Sequence, residues 1–297
     1  MIPRFRHKTQ FLGHNGAVFS LEKGLDDTLY SCGSDAMLVR WPFLKQEDGL
    51  LHARTNTSIY SSYYIPEKKL FLLGNMEGHL QWIENGEERF HFKAHQKGVF
   101  GFLDLGNRFI SLGGDGKVAV WEWSDPKNVF FVGLSEKALR SVVADENRIY
   151  IGSSDGNIYI LDKGSLELVH TVLAAHSNSV FTLCISSDGK HLFSGSRDMN
   201  IKKWSTEDMQ LDQLVPAHAA TVNHIILGPS GSLISAGRDK EIRIWSEKNM
   251  QLKQVLKAPR DKGHINSVNR LLWDADNNFL FSTGDDKSII CWEQDND

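Results

Sequence analysis

The segment Ser196-Arg197-Asp198-Met199-Asn200-Ile201-Lys202-Lys203-Trp204 returns in altered form at Gly237-Arg238-Asp239-Lys240-Glu241-Ile242-Arg243-Ile244-Trp245. In both copies a tryptophan follows an aspartate by six residues. The same spacing occurs at Asp35–Trp41, Asp115–Trp121 and Asp286–Trp292, ends in leucine at Asp155–Leu161, and has a degenerate form at Glu77–Ile83. The seven copies end at residues 41, 83, 121, 161, 204, 245 and 292, so the chain repeats with a period near forty. Such a period indicates an array of structural repeats.

Each copy is divided into short apolar or alternating runs by clusters of turn residues. In one copy the runs Val180–Leu183 and His191–Ser194 lie on either side of the turn cluster Ser187-Asp188-Gly189. Runs of this length are typical of strands joined by hairpins. Helical periodicity is absent, and the seven prolines are too few to interrupt the strands. The sequence therefore predicts an all-β fold, a seven-bladed β-propeller with four-stranded antiparallel blades, in a single domain over residues 1–297 with blade ends near the seven positions above.

A second signature accompanies five of the copies. A histidine precedes the aspartate by 20 to 22 residues, and a serine precedes it by four. The copies at Glu77 and Asp155 have Leu73 and Ile151 in place of the serine, and they also lack the histidine and the tryptophan. A buried carboxylate, imidazole, hydroxyl and indole satisfy one another, and removing one leaves the others unpaired. We therefore expect five hydrogen-bonded tetrads: His14, Ser31, Asp35 and Trp41; His95, Ser111, Asp115 and Trp121; His176, Ser194, Asp198 and Trp204; His218, Ser235, Asp239 and Trp245; His264, Ser282, Asp286 and Trp292.

These residues resemble the structural tetrad of WD-repeat (WD40) β-propellers, and the resemblance extends from about Phe11 to Trp292. The Trp-Asp dipeptide that names this family is absent at the blade ends. The resemblance implies that the amino-terminal stretch Phe5–Leu12 becomes the outer strand of the last blade and closes the ring, since only five residues follow Trp292. We expect the second and fourth blades to lack polar networks and to be the softest part of the ring.

Composition narrows the classes of function. With 33 basic and 37 acidic residues, the net charge is −4, which gives no positive field for a nucleic-acid backbone. No apolar stretch is of secretory or membrane-spanning length, so we predict a cytoplasmic protein that does not bind membranes. Cys32, Cys184 and Cys291 are far apart in apolar runs and predict buried free thiols rather than disulfides or a zinc site.

No catalytic, metal or cofactor site is expected. The Asp, His and Ser sets resemble hydrolytic triads, but five copies, each with a tryptophan, indicate structure. His91 and His95 have the spacing of a helical metal pair, although the segment between them alternates like a strand. Gly113-Gly114-Asp115-Gly116 lacks the lysine of a phosphate loop and is interpreted as a hairpin turn.

Function is expected on one face of the disc, the top, where the loop after the histidine meets the aspartate turn. That mapping follows in part from how similar propellers present their partner-binding residues. Five residues after the histidine, or at the matching strand start, stand Phe19, Tyr60, Phe100, Arg140, Phe181, Asn223 and Asn269. Immediately before the aspartate position stand Ser34, Met76, Gly114, Ser154, Arg197, Arg238 and Asp285.

Aromatic residues together with arginine are typical of protein interfaces. Two alternatives stay open: the phenylalanines pack between blades, and the arginines form surface ion pairs. We predict a non-catalytic, monomeric scaffold or adaptor that binds a protein or peptide, with the partner-binding residues Phe19, Tyr60, Phe100, Arg140, Phe181, Arg197, Asn223, Arg238, Asn269 and Asp285. The alternative functions are an enzyme or small-ligand binder that uses the central channel and, less favoured, a nucleic-acid binder.

Overall fold

A computed structural model of the protein describes residues 2–45, 48–127 and 129–295. Each blade is a four-stranded antiparallel sheet, and in six of the blades the strands are consecutive from the centre of the ring outwards. The first three blades consist of β2 (Val18–Lys23), β3 (Thr28–Gly33), β4 (Met37–Pro42) and β5 (Leu50–Arg54); β6 (Ile59–Ile65), β7 (Leu70–Asn75), β8 (His79–Glu84) and β9 (Glu87–Lys93); β10 (Val99–Asp104), β11 (Arg108–Gly113), β12 (Lys117–Glu122) and β13 (Val129–Gly133).

The next three blades have the same order. They consist of β14 (Leu139–Ala144), β15 (Arg148–Ser153), β16 (Ile158–Asp162) and β17 (Leu168–Val172); β18 (Val180–Ile185), β19 (His191–Ser196), β20 (Asn200–Ser205) and β21 (Leu211–Pro216); β22 (Val222–Leu227), β23 (Ser232–Gly237), β24 (Ile242–Ser246) and β25 (Leu252–Leu256). Two single-turn 3₁₀ helices, Pro66–Lys68 and Pro229–Gly231, lie in the turns after β6 and β22.

The seventh blade joins the two ends of the chain. It consists of β26 (Val268–Asp274), β27 (Phe279–Gly284), β28 (Ile289–Asp295) and, on the outside, β1 (Arg4–Phe11). Strand β1 pairs with β28 from Arg4 opposite Asp295 to Phe11 opposite Ile289. The innermost strands contact one another in a closed cycle, since β2 contacts both β6 and β26. The predicted seven-bladed ring and its closure by the amino-terminal strand are confirmed.

The hydrophobic core is divided into seven clusters, one at each junction between neighbouring blades. At the junction of the fourth and fifth blades, for example, Tyr150 and Ile160 pack with Leu192 and Trp204. A sheet of four short strands cannot bury both faces alone, so each blade needs its two neighbours. The core is therefore stable only when the ring is complete.

Hydrogen bonds join the four residues of each expected tetrad. The distance from His Nδ1 to the Asp carboxylate is between 2.8 and 3.1 Å in the five blades. The distance from His Nε2 to Ser Oγ is between 2.7 and 2.9 Å. The Trp indole N–H donates to the same Ser Oγ at 2.7 to 3.0 Å. All five histidines and serines are buried, so each of these polar groups depends on the others.

The protonation states of its residues set the direction of the hydrogen bonds in a tetrad, as the fifth blade shows. Burial lowers the pKa of His176 despite the nearby carboxylate, so the imidazole is neutral. Burial disfavours the charged form of Asp198, but His176 and backbone N–H donors outweigh it and lower the pKa of this carboxyl. Neutral His176 therefore donates from Nδ1 to Asp198 and accepts from Ser194, which accepts from Trp204. Asp198 also accepts the backbone N–H groups of Ser177 and Asn200, which fixes the turn after β19.

The expectation that the second and fourth blades lack polar networks is wrong. In the second blade Asn75 donates to Thr57 at 2.8 Å and accepts the backbone N–H groups of Glu77 and His79. In the fourth blade Asp155 accepts the hydroxyl groups of Ser135 at 2.6 Å and Tyr159 at 2.7 Å. The turn between the second and third strands still needs an acceptor for its backbone N–H groups. In these two blades different residues supply the acceptor. In the second blade the acceptor is Asn75, two positions before Glu77, which stands at the aspartate position.

The hydrogen bonds of the tetrads predict a ranking of aspartate substitutions. Asp198→Ala should lower the free energy of unfolding by about 2 to 4 kcal/mol, because His176 and two backbone N–H groups lose their acceptor. Asp155→Ala should cost about 1 kcal/mol, because Asp155 is exposed and water can replace it. Asp208→Ala is the control: its exposed carboxylate accepts the backbone N–H of Gln210 but has no buried partner among the described residues, so the change should cost less than about 0.5 kcal/mol. Urea denaturation measures all three, and equal midpoints for Asp198→Ala and Asp208→Ala would contradict the ranking.

Ring closure predicts that the amino-terminal strand stabilises the whole domain. Phe5 is 2 % exposed and packs with Trp292, and its backbone exchanges two hydrogen bonds with Gln254 of the sixth blade. Deleting residues 1–10 should lower the melting temperature of the entire ring in one cooperative transition. Phe5→Ala should cost about 3 kcal/mol, whereas Phe130→Ala, on another outer strand but 47 % exposed, should cost little. An unchanged melting temperature after the deletion would refute this account of closure.

Candidate functional site

A β-bulge interrupts the innermost strand of every blade. In the first blade Val18 pairs with Gly33 and Ser20 pairs with Cys32, which leaves Phe19 without an opposite residue. The same register shift occurs in the other six blades. The unpaired residues are the set predicted at the mouth of the channel: Phe19, Tyr60, Phe100, Arg140, Phe181, Asn223 and Asn269. A bulge bends the strand and redirects its side chains, and Tyr60, Phe100, Arg140 and Phe181 line the central channel.

Five of the bulge residues form an aromatic and cationic arc across the first five blades. Phe19 stacks on Tyr60 with ring centroids 4.6 Å apart, and Tyr60 meets Phe100 edge to face at 6.2 Å. The guanidinium carbon of Arg140 lies 4.1 Å from the ring centroid of Phe100 and 5.3 Å from that of Phe181. Burial lowers the pKa of Arg140, but the group stays a cation at neutral pH. The aromatic rings thus pack between blades and also keep part of their surface open.

The remaining two bulge residues form a polar arc on the sixth and seventh blades. Asn223 donates to the Oγ of Ser267 at 2.9 Å and to the carbonyl of Val268 at 2.8 Å. Asn269 donates to the carbonyl of Val18 at 3.1 Å and to the carboxylate of Asp285 at 2.8 Å. The seven bulge residues therefore form an aromatic side and an amide side.

The residues that precede the aspartate position differ in their surroundings. Ser154 accepts a hydrogen bond from the Nε of Arg140 at 2.9 Å, and Asp285 is bound by Asn269. Gly114 is buried, whereas Ser34 and Met76 are exposed. Arg197 and Arg238 are also exposed, and within the described residues neither side chain forms an ion pair or a hydrogen bond. Both guanidinium groups are free to bind an anion.

Exposed apolar side chains also lie on the loops that enter the innermost strands. The three large apolar residues with the highest exposure among those described are Leu173 at 75 %, Ile265 at 72 % and Leu12 at 67 %. Each stands between the outer strand of one blade and the inner strand of the next, where the histidines of the tetrads also lie. Single exposed apolar residues are ordinary, but the three most exposed ones share one face.

The central channel contains ionisable residues that the sequence analysis missed. It encloses about 740 Å³ and is lined by the innermost strands of all seven blades, with Glu22, His224 and Arg270 on its wall. His224 and Arg270 stand one place after the bulge residues, and Glu22 stands three places after Phe19. Strict alternation along a strand places the residue after a channel-facing one on the other side. The bulge breaks this alternation, and a column-by-column comparison of residues six places after each histidine would have found the channel positions.

The channel changes the protonation of these groups. Burial raises the pKa of Glu22 to about 7, although Arg270 and a hydrogen bond from Ser62 favour the carboxylate. Burial also lowers the pKa of Arg270, and Glu22 opposes that shift. His224 is held neutral because burial, reinforced by Arg270, keeps its pKa well below the ordinary value. At neutral pH the channel wall therefore holds a neutral imidazole and a partly protonated carboxyl together with two cations, Arg140 and Arg270.

Other groups singled out in the sequence have structural surroundings. The imidazole of His91 lies 2.9 Å from that of His79 on the neighbouring strand, and His95 belongs to a tetrad. Gly116 has a φ of +77° in the hairpin turn after Gly113. The residues that the structure describes contain no group of three potential metal ligands and no helix long and apolar enough to cross a bilayer. Cys32 and Cys291 are buried free thiols, but Cys184 is only half-buried and lines the channel.

Because the pKa of Glu22 is raised, replacing Glu22 with a neutral residue should stabilise the protein by an amount that depends on pH. Above pH 7 Glu22 is ionised in the folded protein, where its ionisation costs more free energy than in the unfolded chain. Below pH 4.5 Glu22 is protonated in both states. Glu22→Gln should therefore raise the free energy of unfolding at pH 8 by up to about 3 kcal/mol, with the gain shrinking towards pH 5. Urea denaturation at both pH values measures this, with exposed Glu88→Gln as the control. A gain that does not depend on pH would contradict the shift.

Comparison with known proteins agrees with this geometry. The family model "WD domain, G-beta repeat" matches residues 166–205, 210–246 and 252–293, the copies that end at Trp204, Trp245 and Trp292. The chain is 30 % identical to a 77 kDa echinoderm microtubule-associated protein of Strongylocentrotus purpuratus over 36 % of its own length and 16 % of the relative's. It is 25 % identical to the nuclear distribution protein nudF of Emericella nidulans over 54 % of its length and 39 % of the relative's.

Pre-mRNA-processing factor 19 of Bos taurus is 28 % identical over 35 % of this chain and 21 % of the relative. The chain thus matches less than two-fifths of the length of each of these three relatives. The crystal structure of the WD40 β-propeller domain of Doa1 superposes with a TM-score of 0.85 at 22 % identity, covering 98 % of both chains. From the matched repeats, the five tetrads and the closed ring, this chain is a seven-bladed β-propeller that carries WD40 repeats.

Proposed function

We propose that the chain is a non-catalytic scaffold that binds an extended protein segment with acidic and apolar side chains on its top face. The observation that carries the proposal is the coincidence, on one face, of the unpaired cations Arg197 and Arg238 with the half-exposed aromatic arc. Leu12, Leu173 and Ile265 add apolar surface there. A local positive patch on a chain of net charge −4 attracts acidic segments selectively.

The two parts of the face would have different roles. Phe181 and Tyr60 offer rigid apolar area whose burial slows dissociation of a bound segment. Arg197 and Arg238 carry their charge at the rim, where it mainly speeds association and makes binding depend on salt. Arg140 is already held by Phe100, Phe181 and Ser154, so it would fix the shape of the aromatic arc while it adds positive charge.

Relatives named for association with microtubules, for nuclear distribution and for pre-mRNA processing are in keeping with a macromolecular partner. The absence of catalysis is part of the same proposal. The Asp, His and Ser groups of the five tetrads bond to one another in buried positions and are not free to act on a substrate.

A peptide-display selection against the folded protein would test the top face. We expect enrichment of sequences that combine Asp or Glu with apolar residues. Reversing both charges in Arg197→Glu/Arg238→Glu should weaken the selected peptides at least tenfold, mostly through slower association. Phe181→Ala should mainly speed dissociation.

The matched control reverses two exposed lysines on turns of the opposite face. Lys127→Glu/Lys248→Glu changes the net charge by the same amount and should leave affinity within about twofold. If the selected peptides bind the doubly reversed arginine variant as tightly as the wild type, the binding surface lies elsewhere on the ring.

A further inference from the structure

The channel wall is asymmetric at the residues that directly follow the bulge residues in the sequence. The residues that follow the seven bulge residues are small in five blades and long in two: Ser20, Ser61, Gly101, Ser141, Thr182, His224 and Arg270. His224 and Arg270 stand on adjacent blades and face the space that the five small residues leave. Among the residues that line the channel, Glu22 is the one carboxylic acid, and Arg140 and Arg270 are the two guanidinium groups.

A backbone hydrogen bond fixes the tautomer of His224. The N–H of Leu271 donates to Nδ1 at 3.1 Å, so this nitrogen carries no hydrogen. Because the imidazole is neutral, its hydrogen is on Nε2. His224 therefore has one N–H donor for which no partner is found among the described residues.

The guanidinium of Arg270 is also without a direct partner. Within the described residues it forms neither an ion pair nor a hydrogen bond, although protein surrounds it. The carboxyl of Glu22 is held instead by Ser62 at 2.8 Å, and Ser62 is in turn bonded to Ser20 at 2.8 Å. Because the pKa of Glu22 is about 7, its negative charge compensates Arg270 only in part at neutral pH.

A buried hydroxyl group without a partner in the part of the chain that the structure describes lies at the corresponding position of the fourth blade. The Oγ of Ser141 is buried and has no hydrogen-bond partner within the described residues. Unpaired buried hydroxyl groups are uncommon and costly. Below this level the channel-lining ring is apolar apart from the Glu22 position, with Tyr63, Leu103, Val143, Cys184, Ile226 and Leu272.

We propose that the channel binds a small organic carboxylate, with its carboxylate on Arg270 and the Nε2–H of His224 and its hydrocarbon part against the apolar ring. A guanidinium binds a planar carboxylate through two parallel N–H bonds, and few other groups in the channel compete for it. A volume of about 740 Å³ is ample for such a molecule. The carboxylate can belong to a free acid or to a side chain of a segment bound on the top face, and this chemistry is common to both.

The test uses 3-phenylpropionate as the free acid and 3-phenylpropan-1-ol as its neutral counterpart. Titrations followed by methyl NMR should show binding of the acid at least tenfold tighter than the alcohol, with shifts at Ile226, Leu272 and Leu103. Arg270→Gln should weaken the acid at least tenfold. Arg238→Gln, which removes the same charge outside the channel, should leave its affinity within twofold.

A steric variant keeps the test independent of any effect of Arg270 on folding. Gly101 lines the channel, and a Cβ there would meet Leu112 at 3.5 Å and Val142 at 3.9 Å, which are ordinary contacts, so Gly101→Phe adds a bulky side chain at the channel wall. This variant should abolish binding of the acid while its circular dichroism and melting temperature stay close to those of the wild type. Binding that survives both Gly101→Phe and Arg270→Gln would overturn the proposal, and so would equal binding of acid and alcohol.

Two further experiments complete the test. The first distinguishes a free acid from a peptide side chain as the source of the carboxylate, and the second distinguishes the channel site from the top-face site. A top-face peptide that carries one Glu, compared with its Glu→Gln form, should lose affinity in Arg270→Gln only if its side chain enters the channel. Arg197→Glu/Arg238→Glu should bind 3-phenylpropionate as the wild type does. If neither the free acid nor the peptide Glu responds to Arg270→Gln, the channel site is refuted while the top-face proposal stands.

Discussion

This structure depends on one interaction: in each blade a side-chain acceptor binds backbone N–H groups of the turn between the second and third strands. An aspartate holds backbone N–H groups from its own turn and from the loop before the inner strand, so it fixes two connections at once. The chain from Trp204 through Ser194 and His176 to Asp198 ties that turn to the buried middle of the blade. Each turn is thereby held at a set height above the channel, and the top face is built from these turns.

The sequence was sufficient for the fold because the tetrad residues are both local and mutually dependent. Asp198 and Trp204 define a repeat by spacing, and His176 and Ser194 vary together with them, so the blade number follows, while ring closure was implied by the resemblance to WD-repeat propellers. The second and fourth blades were misjudged because Asn75 and Ser135 do the same work with other residue types or from another position. A pattern search detects chemistry only where its residues recur, whereas the backbone needs an acceptor in every turn.

The candidate sites were less predictable for a geometric reason. Alternation along a strand implies that only every second residue of β22 or β26 faces the channel, which excludes His224 and Arg270 once Asn223 and Asn269 are assigned to the mouth. The bulge lets both members of each pair reach open space, one at the mouth and one within. Spacing within one strand does not distinguish a bulge from regular pairing, so the ionisable residues of the channel stand out only when the same position is compared across the blades.

Closure of the ring by pairing of β1 with β28 has a consequence for the connectivity of the molecule. Arg4 lies opposite Asp295, so the two strands end side by side on the face away from the channel mouth. A short linker there would make the backbone circular, and a new break in the turn between β8 and β9 would open it in a different blade. Any one of the seven blades could contain both ends of the chain. Circular permutants of this ring should therefore keep the same top face.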